Sequence, residues 1–84
     1  PNPFNPRTEI AFSVIAAESH VSLAVFDVAG RLVRTLVDEN LPAGNHLATW
    51  DGTNETGARV ESGIYLYRLQ FDGTAFSRKM ILLE

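Results

Sequence analysis

The chain has no cysteine. That removes disulfides and thiolate zinc sites together, so a small domain of this kind must be held by packing alone. Lysine is nearly missing too: Lys79 stands alone beside scattered arginines, and the net charge is −3 with a pI near 5.2. Nucleic-acid binding needs cations clustered on one face, so DNA and RNA are set aside as partners. No apolar run approaches the ~18 residues of a membrane-crossing helix, and no signal-peptide pattern is present. The histidines His20 and His46 lie far apart, without acids or a second histidine at metal-ligand spacing, so no metal or cofactor is expected.

What remains is ordinary for a folded domain: 45% hydrophobic and 20% charged residues in a chain of 84. That length supports one domain over residues 1–84. A chain this small buries roughly 60–65% of its extended surface, which gives each large aromatic disproportionate weight. The chain opens on Pro1 without methionine, which suggests a piece of a longer protein.

Strand patterns fill the rest. Pro1-Asn2-Pro3-Phe4-Asn5-Pro6 cannot be helical and reads as a stiff lead-in over residues 1–7. Thr8–Val14 alternates with Ile10, Phe12 and Val14 on one side; Ile15–Ser19 breaks the alternation and is expected to end the strand. His20–Asp27 resumes it with Val21, Leu23 and Val25. Asp27-Val28-Ala29-Gly30 reads as a turn, and Arg31–Val37 returns, with Leu32 and Leu36 competing against Val33 and Val37 for the core. Asp38–Gly44 reads as a polar turn. Asn45–Trp50, a possible short pairing in Ala58–Ser62, Ile64–Phe71 and Thr74–Leu83 follow, the last two joined by the hairpin signal Asp72-Gly73.

Strands spaced about 8–12 residues apart with no competing helical period predict an all-β fold. The expected form is an immunoglobulin-like antiparallel β-sandwich of about six to seven strands without a disulfide, with a small barrel as the alternative. Trp50, Tyr65, Tyr67, Phe12 and Leu23 are its expected core. The stretch Trp50–Leu69 then forms the centre, and its aromatics face inward rather than forming a sugar platform.

No constellation of catalytic residues emerges. The serines lack a glycine-framed elbow, and the carboxylates are dispersed through turns, so no enzyme is expected. Asp51–Gly57 has oxygen side chains at intervals but lacks the acids and glycine positions of a calcium hand. Asx turns account for the same residues. Asn54-Glu55-Thr56 formally matches a glycosylation acceptor.

The order of Pro1–Pro6, Val25-Phe26-Asp27-Val28-Ala29-Gly30-Arg31-Leu32-Val33, Ala43-Gly44-Asn45-His46, Trp50-Asp51-Gly52, Gly57, Ser62-Gly63-Ile64-Tyr65 and Lys79-Met80-Ile81-Leu82-Leu83 resembles a known family. It is similar to the type A C-terminal sorting domain of the type IX (Por) secretion system, itself related to the immunoglobulin-like domain of the flagellar hook-capping protein. The resemblance implies a non-catalytic C-terminal module of a larger secreted protein, with the parent cargo domain on its N-terminal side. It implies recognition by the secretion machinery and a sortase, passage through the periplasm, and a final place at the cell surface or outside. The recognition residues it implies are Pro1, Asn2, Pro3, Phe4, Asp27, Gly30, Arg31, Lys79, Met80, Ile81, Leu82 and Leu83. A monomer is expected. Three other readings stand beside it: a spacer or accessory module of a surface enzyme, a carbohydrate-binding module, and a flagellar hook-capping type domain.

Overall fold

In the computed structural model, which describes residues 7–83 apart from the Ala16 side chain, the chain forms four antiparallel strands. The expected lead-in Pro1–Pro6 and Glu84 lie outside the described residues. Strand β1 runs Thr8–Asp27, β2 Leu32–Trp50, β3 Gly63–Phe71 and β4 Thr74–Leu82. They make one sheet in the order β2-β1-β3-β4. The structure is all-β and antiparallel, as the alternation indicates. The strands number four rather than the expected six to seven, because two segments read as breaks are paired strand.

The first such segment is Ile15–Ser19. Val14 pairs with Gly44 and Glu18 with Pro42, so four steps along β1 match two along β2. This is an enlarged β-bulge within one strand rather than its end. Across it the buried side changes from even positions (Ile10, Val14) to odd ones (Ser19, Val21, Leu23, Val25). The polar segment Asp38–Gly44 pairs along β1 in the same way. Smaller shifts settle the competition in Arg31–Val37. Leu23 pairs with Val37 but Ala24 with Thr35, and Val25 with Arg34 but Phe26 with Leu32. Leu36 and Val33 are therefore extra residues, and burial changes parity along the strand: Val33 is buried, Leu36 and Val37 are half-buried, and Leu32 is exposed.

A straight strand of this length would run roughly 65 Å. The longest axis of the molecule is 41 Å, so β1 and β2 must bend. The bend folds the first half of the β1–β2 hairpin over the sheet that β1 completes with β3, where Val21–Asp27 pair with Phe71–Tyr65. Ile10 and Val14 from the first half thereby pack with Val21, Leu23 and Leu69 from the second. The result is a sheet curled into a half-barrel, two-layered but not closed.

A second cluster holds Val25, Val33, Trp50, Tyr65 and Leu82. Trp50 is fully buried, and its ring meets Tyr65 edge-on at 5.1 Å. Its indole N–H donates to the Thr53 carbonyl at 2.8 Å, and the Tyr65 hydroxyl donates to the Glu61 carbonyl at 2.6 Å. Both polar tips are thus satisfied where the rings are taken from water. Leu23 is buried as well, whereas Phe12 and Tyr67 are only half-buried, because they lie where the half-barrel stays open. Phe76, which strand alternation sets on the same side of β4 as Leu82, is exposed for the same reason, while Leu82 is buried.

The turns follow backbone requirements. Asp72 and Gly73 both have positive φ, 55° and 77°, as a two-residue hairpin turn with matching twist needs. Across the bend, the His20 ring contacts Asn40 Oδ1 at 3.0 Å and Asp38 Oδ1 at 2.7 Å. Two oxygen acceptors favour a proton on both ring nitrogens, and the Asp38 hydrogen bond is the main cause of the raised His20 pKa. That contribution is present below the ordinary histidine value and is lost as pH rises through the raised one. Both side chains are largely exposed, so the pair is a weak clip.

Trp50 joins the core, the end of β2 and the following loop. Trp50→Ala should therefore cost about 3–5 kcal/mol in chemical denaturation. A loss below ~1 kcal/mol would show that the second cluster does not depend on this ring.

Candidate functional site

The residues singled out from sequence fall at one end of the sheet, apart from Pro1, Asn2, Pro3 and Phe4, which lie outside the described residues. Asp27 pairs with Tyr65, and Tyr65 with Met80. The β1–β2 turn and the second half of β4 are therefore two strand spacings apart, about 10 Å. One residue further along, Leu32, Phe26, Leu66 and Lys79 form a row across all four strands.

The turn is closed on itself. The Asp27 carboxylate accepts from the backbone N–H of Ala29 and of Arg31, each at 3.0 Å. It also accepts from Arg31 Nε at 3.0 Å. Gly30 N–H donates to the Asp27 carbonyl at 2.9 Å, and Gly30 has φ +86°. The Arg31 backbone bond is the main influence holding the Asp27 carboxyl below its usual value, with the Arg31 side chain reinforcing it. Asp27 thus spends its acceptors on shaping the turn. Of the three turn residues expected to recognise a partner, Asp27 and Gly30 build the turn, and the largely exposed Arg31 side chain faces solvent.

The closing run divides by strand alternation. Lys79, Ile81 and Leu83 are exposed, Met80 is half-buried, and Leu82 is buried in the second cluster. Only the first three can present side chains outward. Strand parity, applied to Lys79–Leu83 as a unit, carries this division in the sequence.

The acidic loop is also occupied internally. Asp51 Oδ1 accepts from the Thr53 hydroxyl and N–H, and Asn54 Oδ1 accepts from Thr56 N–H, Thr56 Oγ1 and Ala58 N–H. The Thr53 hydroxyl is the main influence lowering the Asp51 pKa. Arg34 Nη1 donates to Thr53 Oγ1 at 2.9 Å and to the Asn54 carbonyl at 2.7 Å, tying the loop to β2. Ala58–Ser62 adds a single bridge, Thr53 to Arg59, in place of a strand. No group of three or more metal-capable side chains occurs among the described residues. His46 packs its ring against Phe12 at 5.5 Å and contacts the Pro42 carbonyl through Nε2 at 2.8 Å.

Sequence reasoning passes over an open groove of about 350 Å³ lined by Ile10, Phe12, Tyr67, Leu69, Phe76 and Arg78. These residues come from opposite ends of the chain. The one signal in the sequence is the period-two series Phe76, Arg78, Met80, which sets a cation in a row of core-facing positions.

Two outcomes check the turn. A Cβ at Gly30 meets nothing within 4 Å, so Gly30→Val should cost roughly 1–2 kcal/mol from its left-handed backbone alone, with Gly30→Asn milder. An unchanged melting curve would contradict the turn geometry. A depressed carboxyl pKa means that its contribution to stability is present above the ordinary aspartate value, ~3.9, and is lost as pH falls through the folded one. In an NMR titration Asp27 should therefore ionise below ~3.9, and the Ala29 and Arg31 amides should lose exchange protection only as it protonates. A normal Asp27 midpoint would remove the carboxylate from the turn.

Comparison with known proteins agrees with the flagellar side of the resemblance. The family model for the FlgD Ig-like domain matches residues 4–74. The basal-body rod modification protein FlgD of Salmonella typhimurium is 44% identical over 45 residues, covering 54% of this chain and 19% of that protein. The protein of the same name from Salmonella typhi matches to the same extent. The aligned part is thus about a fifth of these relatives' length, and no solved structure matches. With the match running through most of the chain, from the lead-in to the start of β4, the chain belongs to the FlgD Ig-like domain family.

Proposed function

We propose that this chain is a non-catalytic protein-docking module of the flagellar hook-capping type, working as one part of a larger protein. The observation that carries the reading is the family match over residues 4–74. Two features of the fold support it. The polar clusters that could imitate a site, around Asp27 and around Asp51–Asn54, satisfy one another. The groups left outward-facing at the same end, Arg31, Lys79, Ile81 and Leu83, are those of a contact surface rather than of a reaction centre. On this reading the module folds as a monomer, acts outside the cytoplasm, and needs no cofactor. Its partners are proteins, beginning with the parent chain on its N-terminal side.

The sorting reading draws on the same end of the molecule. There the Asp27–Arg31 turn and the exposed Lys79, Ile81 and Leu83 lie two strand spacings apart, and a secretion machinery and sortase would be the partners. The two readings predict different losses. Deleting residues 7–83 from the full-length gene in its own bacterium should, for a hook-capping module, stop flagellar assembly, seen as loss of motility and of hooks by electron microscopy. For a sorting module the same deletion should strand the parent in the periplasm, and residues 1–84 fused to a reporter should carry it to the surface. Normal assembly together with successful reporter export would overturn the hook-capping reading.

A further inference from the structure

Besides the unpaired side of the first half of β1, the sheet ends on β2 and on β4, and these two edge strands are unlike. The β2 edge is broken by three register shifts, carries Pro42 and the acids Asp38 and Glu39, and has its Thr35 N–H capped by the Glu55 carboxylate. Each of these devices blocks the addition of another strand. The β4 edge carries charge too, on Arg78 and Lys79, but among the described residues no register shift, proline or side-chain cap. Its ladder with β3 runs from Gly63–Leu82 to Phe71–Thr74 without a shift, and the strand contains no proline.

Charge is segregated on the same hairpin. The chain is acidic overall, yet β3 and β4 contain Arg68, Arg78 and Lys79 and no acid. Among the described residues neither Arg78 nor Lys79 forms an ion pair. Their cross-strand partners are Tyr67 and Leu66, which cannot neutralise them. Directly beside this edge lies the open groove, with Ile10 and Phe12 opposite Phe76 and Arg78. Phe76 is 53% and Ile81 62% exposed, one on each face of the strand.

From this combination we infer that the β4 edge is a strand-addition site for an extended acidic segment of a partner protein that alternates apolar and carboxylate side chains. The added strand takes its main-chain hydrogen bonds from Thr74–Leu82. It sets alternate side chains into the groove between β4 and Ile10/Phe12 and passes the others beside Lys79 and Ile81. Arg78 and Lys79 point to opposite faces, so the carboxylate set of the added strand meets one cation whichever face it takes. The same pair selects against a second copy, since two β4 edges paired about a two-fold axis would set cations against cations. The inference rests on reading the chain as a docking module and names the edge that it docks through.

The test uses the whole chain, isotope-labelled, with three blocked nine-residue probes. One alternates valine and glutamate, one alternates valine and lysine, and one is the glutamate peptide with alternate backbone N-methylation. Binding of the glutamate peptide should shift and protect amides of β4 and move the Tyr67 and Phe76 ring signals. The lysine peptide should bind about fivefold more weakly, as expected for one lost cross-strand charge pair. N-methylation should abolish binding. Arg78→Glu/Lys79→Glu, on exposed positions and with an unchanged melting temperature, should reverse the preference. Shifts centred on β2, equal binding of the N-methylated peptide, equal affinity for the lysine peptide, or no binding at millimolar concentration would each overturn the inference. So would concentration-dependent self-association that protects β4 without peptide. In the full-length protein, the double variant should reproduce the loss caused by deleting the domain. If the deletion is harmful and the double variant is not, docking stands and the β4 edge is not the route. If neither change has an effect, the docking reading itself fails.

Discussion

The pairing of β1 with β2, resumed on the far side of the bend at Val14–Glu18, is the constraint from which the rest of the molecule follows. Backbone groups taken from water must be paired, so the chain keeps its ladder rather than ending two strands and starting two more. A ladder of that length cannot stay straight and also bury one face of a 9.2 kDa protein. It inserts extra residues into β1, bends, and folds its first half over the second. The core is made by that fold: Ile10 and Val14 meet Val21, Leu23 and Leu69 only because the hairpin doubles back.

The bend also decides what stays open. The outer edge of β1 pairs with β3 only over Val21–Asp27, and the first half of β1 arches over the inner face without joining β4. A closed barrel would have buried Phe12, Tyr67 and Phe76. The half-barrel leaves them around a groove, next to an unguarded edge. At the other end Trp50 and Tyr65 seal the second cluster, and their N–H and O–H are satisfied by the backbone of the loop that links β2 to β3. The loop is rigid in consequence, with Asp51 and Asn54 acting as local backbone braces.

This division of labour gives the short motifs a structural task. Asp27-Val28-Ala29-Gly30 and Trp50-Asp51-Gly52 are the most distinctive stretches of the chain, and both are spent on holding turns in place. Residues with plainer neighbours, Arg78 and Lys79 among them, are exposed and form no ion pair among the described residues.

Much of the local structure was legible in the sequence, because it depends on neighbours in the chain. Alternation marks β3 and β4, the Asp72-Gly73 turn needs positive φ at both positions, and Asp27 with Gly30 specifies a tight turn. The burial of Trp50, Tyr65 and Leu23 follows from parity within single strands. Strand count and closure were not legible. In Ile15–Ser19 a bulge and a strand end produce the same loss of period, and only the partner strand distinguishes them. Arg31–Val37 was ambiguous for the same reason, since two bulges shift parity inside it. The groove and the contrast between the two sheet edges arise from residues far apart in the chain, so tertiary structure alone decided them. Sequence period reports which side a residue faces relative to its neighbours; which strand lies beside it, and whether any does, is set by how the long hairpin bends.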